Sequence, residues 1–474
     1  MDHAGLHDRL GPHVGDRRPR RLCRTTHSCH CDLHSTLVPT KTTTPSKCPA
    51  CAHDLVLLEA GALSWCSACR WNLDVYDPAL APWRGTRMIG RWGFRRGLEV
   101  DRAAHEQLLA DPEARPAGTS SGEVWLLAAS VVLALLGLAA AGYLVWLVVA
   151  SDLPPGVRLA MAIPAVLILL LVKPSFGRVP KYGVITEREA PQLHRLVREV
   201  ADAAGTPVPD VICADLSLNA GVARLGWRQR SVLVIGIPLW VMLPRPARAS
   251  LLAHELGHLA NGDPLRVRRT LLARTFGARA VAATGGRNPW RRAIRAADSL
   301  AEQGRGTVVL LGMIVHGIVA LANVAAATAQ LLVDSVAMPD SRHAEYRADL
   351  VARRVAGSAP FLRSSETVLL AGRIWQDLWH LAPRIDGEQL EAMAAEARQR
   401  LAAHLPLARQ LSRRTTDLWS THPSEDQRMA LIEALPGVDG AVCVDDIRWA
   451  EIDTELAPWR RTAHNALLGT RDRF

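Results

Sequence analysis

The sequence contains an HExxH pattern at His254-Glu255-Leu256-Gly257-His258. Residues four apart lie on the same face of a helix, so both imidazoles can reach one zinc ion. Glu255 stands beside them, where it can take a proton from a water that the metal activates. The apolar residues 250–253 favour a helix before the motif, and Asn261-Gly262-Asp263-Pro264 ends it. By itself the motif also fits two histidines on the surface of an ordinary helix.

A catalytic zinc needs a third protein ligand and one open coordination position. Glu345 is the candidate, because in Glu345-Tyr346-Arg347-Ala348-Asp349 both acids lie on one helical face. With Glu345 on the metal, Asp349 can accept a hydrogen bond from a ligating histidine and fix its tautomer. The alternative for this segment is a solvated, charged helix face.

Taken in order, these motifs resemble a known family, the HtpX-like and CAAX-protease-like membrane gluzincins. The resemblance rests on HExxH, on the distant ExxxD, and on Thr421-His422-Pro423 with Arg428 six residues after the histidine. The lead-in 185–193 and the strand predicted at 231–235 are similar as well. The similarity extends over residues 180–435.

The resemblance implies a gluzincin fold, a catalytic zinc ion and endopeptidase activity on protein or peptide substrates, membrane proteins among them. It implies that His422 and Arg428 stabilise the oxyanion of the reaction or order the site, where preorganised donors act most strongly. It also implies that Asn219 and Ala220 lie on an edge strand that binds substrate by strand addition.

The sequence departs from this family between residues 265 and 340, where HtpX-like enzymes usually have two further spans. Here Thr307 to Met338 is one long apolar stretch, interrupted by a few polar residues. A single crossing would place Glu345 and His254 on opposite sides of the membrane, so the number of crossings must be even. We expect none, with 307–338 buried against the globular domain or lying at the membrane interface; a tight hairpin is the alternative. His316 is expected to be a core or interfacial residue and not a ligand.

Four cysteines near the N-terminus have the spacing of a zinc ribbon: Cys48, Cys51, Cys66 and Cys69. Two CxxC knuckles separated by fourteen residues can close a tetrahedral structural zinc site that leaves no position for chemistry. We therefore expect one catalytic and one structural zinc ion; four free thiols are the alternative. The ribbon could bind a partner or a substrate. The irregular cluster from Cys23 to His34 is expected to be disordered.

Two apolar runs predict a transmembrane helical hairpin. Val124 to Ala150 is almost purely apolar and long enough to span a bilayer, and Val157 to Val172 follows after a Pro-Pro-Gly loop. Lys173, Arg178 and Lys181 come next. The positive-inside rule therefore places both flanks, and with them the ribbon and the globular domain, in the cytoplasm. A buried soluble hairpin is the alternative.

The composition agrees with a protein of several units at a cell membrane. The chain has 474 residues, 49% of them hydrophobic, and a formal net charge of +10. It lacks a dense basic run with interleaved aromatic residues, so nucleic-acid binding is not expected, and no secretory signal peptide is recognised. The expected units are a disordered basic N-terminus (1–45), a zinc ribbon (46–76), a linker (77–122), a transmembrane helical hairpin (123–173), a metallopeptidase domain (180–436) and a C-terminal tail (437–474).

These inferences predict an α+β fold that is mainly helical, with a gluzincin domain that carries a small edge sheet. The predicted function is that of a membrane-anchored zinc endopeptidase with Glu255 as the general base. A catalytically inactive membrane scaffold that recruits partners through its ribbon is the alternative. The intact set of expected site residues argues against it: His254, Glu255, His258, Glu345 and Asp349. A DNA-binding regulator built on the ribbon is weaker and predicts salt-sensitive binding.

Overall fold

The computed structural model describes residues 47–58, 61–80, 87–113, 120–174, 176–284, 306–420 and 422–471, without the side chains of 306–313, 315–316 and 470–471. The expectations for residues 1–45, including the cluster from Cys23 to His34, and for the side chain of His316 lie outside the described residues. Within them the chain is mainly helical with two small sheets, as the sequence predicts.

The N-terminal part combines a short hairpin with a long helix. Strands β1 (Leu55–Val56) and β2 (Trp65–Cys66) pair antiparallel and bring the two cysteine knuckles together. Helix α1 (Arg87–Ala110) is longer than the short helix expected near 97–111. It begins earlier because its first half is also packed, with Phe94 buried.

Two consecutive helices carry the predicted apolar runs, α2 (Ser121–Val149) and α3 (Pro155–Val172). Ser120 caps α2 by accepting a hydrogen bond from the amide of Glu123 at 2.9 Å. Pro155 starts α3 at a position where its missing N–H does no harm. Both helices are long and apolar enough to cross a membrane, and most of their side chains face outwards. The structure is therefore consistent with membrane association.

A three-stranded sheet precedes the helix with the HExxH motif. Its strands are β3 (Val211–Asp215), β4 (Ala220–Leu225) and β5 (Arg230–Gly236). β5 lies in the centre, parallel to β3 and antiparallel to β4, so β4 is an edge strand of this sheet. The last residue of β5 is Gly236, and a larger residue would not fit there because its Cβ would overlap the carbonyl oxygen of Asn219. The turn before β4 therefore sits directly on the end of the central strand.

Helix α4 (Pro191–Ala204) packs against this sheet and against the motif helix. Its apolar stripe, which includes Leu193 and Val197, shares one core with Leu233 of β5 and Leu252. This core fixes the position of the motif helix relative to the sheet.

Four helices follow the sheet: α5 (Ile237–Met242), α6 (Arg245–Ala260), α7 (Asp263–Arg269) and α8 (Leu271–Ala283). The HExxH motif lies in α6, which starts after Pro244 and is buried along most of its length. Burial of ionisable side chains is unfavourable unless they have partners. The surroundings of the motif therefore have to supply those partners.

The apolar stretch 307–338 and the acidic motif belong to one 51-residue helix, α9 (Gly306–Ala356). The expectation that 307–338 is buried against the globular domain is wrong. Many of the apolar side chains described there are exposed, and α9 from Gly317 onwards is the third helix, in the described part of the chain, that could cross a membrane. A continuous helix has no turn that could fold its apolar half back onto the domain, so that half extends away from it.

Helix α8 runs antiparallel to the apolar half of α9. The side-chain amide of Gln330 donates to the carbonyl of Arg274 at 3.1 Å, and that of Asn323 donates to the carbonyl of Val281 at 3.1 Å. Residue numbers thus rise along one helix while they fall along the other. The tight hairpin within 307–338, the other expectation, is wrong as well, because α9 runs through this stretch without a turn and its antiparallel partner is α8.

The globular domain is completed by α10 (Ser358–Leu381), α11 (Leu390–Leu401), α12 (Leu405–Thr415), α13 (Glu425–Ala434), α14 (Asp446–Glu455) and α15 (Ala457–Arg471). Residues 437–474, expected to be a tail, contain the last two of these helices. Trp449 and Ile452 of α14 are buried in the core that α4 also lines. The C-terminal segment is therefore part of the domain, because its apolar side chains complete that core.

Candidate active site

A glycine lets the motif helix α6 approach the long helix α9. A Cβ on Gly257 would lie 3.1 Å from the Cα of Ala348 and 3.2 Å from the Cβ of Val351. At this distance any larger residue forces the helices apart. Glu345 and Asp349, one turn apart on the facing side of α9, therefore meet the histidines of α6.

Three side chains converge between these helices: His254, His258 and Glu345. Nε2 of His254 lies 3.5 Å from Oε2 of Glu345, and Nε2 of His258 lies 3.6 Å from Oε1 of the same carboxylate. At the usual bond lengths, neighbouring N and O ligands of a tetrahedral zinc are about 3.4 Å apart. The types of ligand atom and their separations therefore fit zinc.

Each imidazole is fixed by a carboxylate at its other ring nitrogen. Nδ1 of His254 lies 3.0 Å from Oδ1 of Asp349, and Nδ1 of His258 lies 3.0 Å from Oδ2 of Asp263. A carboxylate at Nδ1 keeps the proton on that nitrogen and leaves the lone pair of Nε2 for a metal. Both Nε2 atoms point towards Glu345 as a result.

Arg428 holds the aspartate that contacts His254. Its Nε donates to Oδ2 of Asp349 at 2.8 Å, and a terminal nitrogen donates to Oδ1 at 2.5 Å. The same guanidinium also pairs with Glu425. Of the two roles expected for Arg428, this geometry favours ordering the site over contact with an oxyanion.

His422 stands at the rim of the cluster. Its Nδ1 lies 2.7 Å from Oε2 of Glu345, while its side chain remains 49% exposed. The ring therefore touches the ligand set on one side and open space on the other, where a substrate would approach.

The close charges shift the pKa values of this cluster. Burial by itself would lower the pKa of His254, but the neighbouring carboxylates of Asp349 and Glu345 raise it to about 10. Burial would raise the pKa of Glu345, but the neighbouring His422 and His258 hold it well below its usual value. Glu345 in turn raises the pKa of His422. The cluster is therefore built to hold positive charge against its carboxylates.

One buried oxygen supports a cation at this point. No described donor meets Oε2 of Glu345 at the angles of a well-formed hydrogen bond, although ring nitrogens of His422 and His254 lie 2.7 and 3.5 Å away. Buried polar atoms are normally satisfied. A zinc ion shared by the two histidines of α6 and Glu345 would satisfy this oxygen.

Comparison with known families agrees with this geometry. Residues 187–435, just over half of the chain, match peptidase family M48. The chain belongs to this family. M48 is a family of zinc metalloproteases, so the protein is a zinc metallopeptidase with peptide or protein substrates. The resemblance to HtpX-like and CAAX-protease-like enzymes is thereby confirmed. No solved structure matches the chain.

The remaining predicted site residues lie on α6 and at the start of β4. Glu255 is buried on α6, between the two histidines in sequence. Asn219 precedes the edge strand β4 and Ala220 begins it, and β4 packs against α6. The predicted substrate strand and the predicted general base therefore belong to neighbouring elements.

The four cysteines form a second candidate metal centre outside the M48 domain. Sγ of Cys48 lies 3.6 Å from Sγ of Cys69, and Sγ of Cys51 lies 3.4 Å from Sγ of Cys66. A tetrahedral zinc spaces its sulfur ligands by about 3.8 Å. The backbone amide of Cys69 donates to Sγ of Cys66 at 3.5 Å and lowers the pKa of that thiol to about 6. The group fits a closed structural zinc site.

Sequence reasoning missed two residues of the M48 site, Asp263 and Glu425. Asp263 is visible in the sequence as part of the turn that ends the motif helix, and its carboxylate could have been considered as a partner for His258. Glu425 lies three residues before Arg428, a spacing at which opposite charges pair on a helix. Both signals are common on ordinary helices, which is why neither stood out.

Proposed function

We propose that this chain is a membrane-anchored endopeptidase in which Glu255 is the general base. One observation carries the proposal: His254, His258 and Glu345 are spaced for zinc, and aspartates hold Nδ1 of both histidines. A scaffold has no use for this arrangement, and buried clusters of ionisable groups with strongly shifted pKa values are typical of functional sites. The ligand set therefore favours the peptidase over the scaffold.

The residues around the ligand set divide the chemistry between them. Bound zinc would polarise the peptide carbonyl and make a water acidic enough to lose its proton near neutral pH. Glu255 takes that proton and passes it to the leaving amine. His422, half-exposed beside Glu345, donates a hydrogen bond to the carbonyl oxygen as negative charge develops there. Arg428 acts through Asp349, which orients His254.

The edge strand β4 would bind the substrate. Among the described residues β4 pairs only with β5, so its other side offers backbone N–H and C=O groups to an extended peptide. Asn219 and Ala220 stand at the start of this strand, which packs against α6. A peptide added here lies alongside the metal helix in the extended form that hydrolysis requires. Unfolded protein segments, including those of membrane proteins, fit this requirement.

The apolar helices would anchor the enzyme in the cell membrane. Helices α2 and α3 expose apolar side chains. Three basic residues follow the end of α3: Lys173, Arg178 and Lys181. The positive-inside rule then puts the ribbon and the M48 domain on the cytoplasmic side.

An exposed aromatic residue lies near the C-terminal end of helix α3. Trp227, 83% exposed at the tip between β4 and β5, makes an edge contact with Phe176 with ring centroids 5.7 Å apart. Phe176 follows the end of α3 by four residues. Tryptophan is typical of the membrane–water interface. The substrate strand would therefore face the membrane surface.

The test of the mechanism is Glu255→Gln in detergent-purified protein. We expect both zinc ions to remain bound while hydrolysis of an unfolded protein substrate falls by about 10²- to 10⁴-fold, because the general base is lost. Zinc per chain is measured by atomic absorption, and cleavage by release of labelled peptides. Glu187→Gln is the matched control, because it removes an exposed carboxylate that pairs with Arg198 and lies far from Glu255 in the sequence. Wild-type turnover in Glu255→Gln would refute the mechanism.

The ligand assignment has its own test, His254→Ala combined with Glu345→Ala. This variant should keep the ribbon zinc and lose the other, so the zinc content falls from two ions to one. One zinc ion in both the wild type and the variant would show that the histidine site holds no metal, and the scaffold hypothesis would then be preferred.

A further inference from the structure

The ribbon is docked on helix α12 through a buried tryptophan. Nε1 of Trp65 donates to the side-chain oxygen of Gln410 at 2.8 Å, and Nε2 of Gln410 donates to the carbonyl of Ser67 at 2.9 Å. The guanidinium of Arg414 lies 4.7 Å from the centre of the Trp65 ring and donates to the carbonyl of Asn72 at 2.8 Å. The helix therefore contacts the core and backbone of the ribbon, and not only its surface.

Apolar and ionic contacts extend this interface. Leu411 of α12 shares a core with four ribbon-side residues: Leu58, Trp65, Leu73 and Leu80. Arg413 makes a two-pronged pair with Asp74, at 2.5 and 2.7 Å. Buried apolar area and a bidentate pair of this kind are features of a permanent contact. The ribbon is thus held to the M48 domain and is not a free module.

The same helix carries the contact on to the active-site loop. Asp426, buried in the first turn of α13, lies 3.2 Å from Nε of Arg409 on α12. Arg70 of the ribbon reaches the same carboxylate oxygen at 3.5 Å. Asp426 stands four residues after His422 and two before Arg428. The ribbon and α12 together therefore fix the chain on the C-terminal side of His422.

Helix α1 fixes the chain on the other side of His422. The amide of Leu418 donates to the carbonyl of Gly93 at 3.0 Å. Asp101 of α1 forms a buried ion pair with Arg342 at 2.5 Å, and Arg342 also donates to the carbonyl of Asp417. Segment 417–418 is consequently held between α1 and α9.

We propose that residues 47–58, 61–80 and 87–110 form an N-terminal clamp that positions His422, so that the ribbon zinc is a structural part of the active site. The clamp holds the chain at 417–418 and at 426, and His422 lies between these two points. A loop without fixed ends would sample many positions at an entropic cost when it orders on the substrate. The clamp lies outside the segment 187–435 that matches the family. This inference rests on the proposed function, because it assigns the ribbon to that catalytic centre.

The direct test removes the ribbon zinc with Cys66→Ser and Cys69→Ser. We expect one zinc to remain in the M48 site, and kcat to fall between about 10- and 100-fold with little change in KM, because a displaced group loses its alignment with the transition state. Hydrogen–deuterium exchange over residues 416–430 should become faster. Retention of the catalytic zinc shows that the M48 domain is folded.

A milder variant keeps both zinc ions. Asp74→Asn removes the partner of Arg413 without touching the M48 domain itself, and we expect faster exchange over 416–430 and a smaller fall in kcat. Arg400→Gln, which removes an exposed ion pair with Asp377 on another face of the domain, is the control and should change neither.

A double-mutant cycle separates positioning from general destabilisation. If the clamp acts through His422, the cysteine variant should lose no further activity when it is introduced into His422→Ala. Full additivity of the two losses would overturn the proposal, as would wild-type kcat and unchanged exchange in a protein that has lost the ribbon zinc. If the wild type hydrolyses no substrate, the proposed function fails, and the exchange over 416–430 alone then decides whether the clamp exists.

Discussion

Nδ1 of His258 lies 3.0 Å from Oδ2 of Asp263, across the short break between helices α6 and α7. Asp263 is the first residue of α7, where a helix N-terminus favours a carboxylate. Gly262, at φ +74°, makes the contact possible because its left-handed conformation turns the chain sharply after α6. The break that ends the metal helix thus supplies the orienting partner of its second histidine.

Asp263→Asn should weaken zinc binding at the M48 site by about 10- to 100-fold, because the amide cannot hold the imidazole proton on Nδ1 as a carboxylate does. The measurement is competition for the catalytic zinc with a chelator of known affinity. Asp377→Asn, which removes a partly exposed carboxylate on α10, is the control. Equal affinity of Asp263→Asn and wild type would show that this contact does not orient His258.

The proposed metal ligands can be picked out from the sequence because helical periodicity alone sets their spacing. His254 and His258 share a face of α6, and Glu345 and Asp349 share a face of α9, in any helix of that sequence. The turn at Asn261-Gly262-Asp263-Pro264 makes Asp263 a candidate partner of His258, but the sequence does not give the contact itself, because that depends on the backbone angles at Gly262.

Contacts between residues far apart in the chain could not be predicted either, because no local pattern links such residues. Trp65 and Gln410 are 345 residues apart, and neither belongs to a motif. The apolar stretch 307–338 was misplaced because hydrophobicity alone fits both a buried helix and a membrane helix. Only the continuity of α9 through Pro339 decides that it leaves the domain.

Gly257→Ala should weaken zinc binding and lower activity although alanine favours a helix. The added Cβ would stand 3.1 Å from the Cα of Ala348, so α6 and α9 must separate by a few tenths of an ångström, and Glu345 moves with α9. Alanine gains about 1 kcal/mol of helix propensity over glycine. A fall in affinity must therefore come from the contact. Zinc affinity and kcat/KM are the measurements.

Gly142→Ala provides the matched comparison for that substitution. Gly142 lies in α2 with nothing within 4 Å of an added Cβ, so zinc affinity should stay at the wild-type value. If Gly257→Ala also binds zinc like the wild type, the approach of the two helices tolerates a methyl group and does not limit the site.

Zinc binding at the M48 site should release a proton at neutral pH. The neighbouring carboxylates of Asp349 and Glu345 raise the pKa of His254 from 6.5 to about 10 in the metal-free protein, so at pH 7 zinc has to displace that proton. The affinity for zinc should therefore rise with pH between about pH 6 and 8. Calorimetry in two buffers of different ionisation enthalpy, on protein that keeps its ribbon zinc, counts the protons.

Asp349→Asn checks the cause of that release. Burial lowers the pKa of His254, and without the Asp349 carboxylate less remains to raise it. The pKa should therefore fall, and fewer protons should be released at pH 7. The same raised pKa stabilises the metal-free fold fully below pH 6.5, and this stability is lost as the pH rises through about 10. Zinc binding without proton release in the wild type would contradict the assigned hydrogen bonds.

Arg342→Met should destabilise the protein by about 3 to 5 kcal/mol, because it leaves the carboxylate of Asp101 buried without its cation. Burial raises the pKa of Asp101 even with Arg342 present, which shows how little solvent this carboxylate meets. Arg342→Met combined with Asp101→Leu should recover most of the free energy of unfolding, because two apolar side chains can replace a buried pair. Unfolding in urea measures both variants.

The double variant still lacks the donor to the carbonyl of Asp417, so its kcat should stay low after its stability has returned. Recovery of kcat together with stability would mean that Arg342 only supports the fold and does not position the His422 loop.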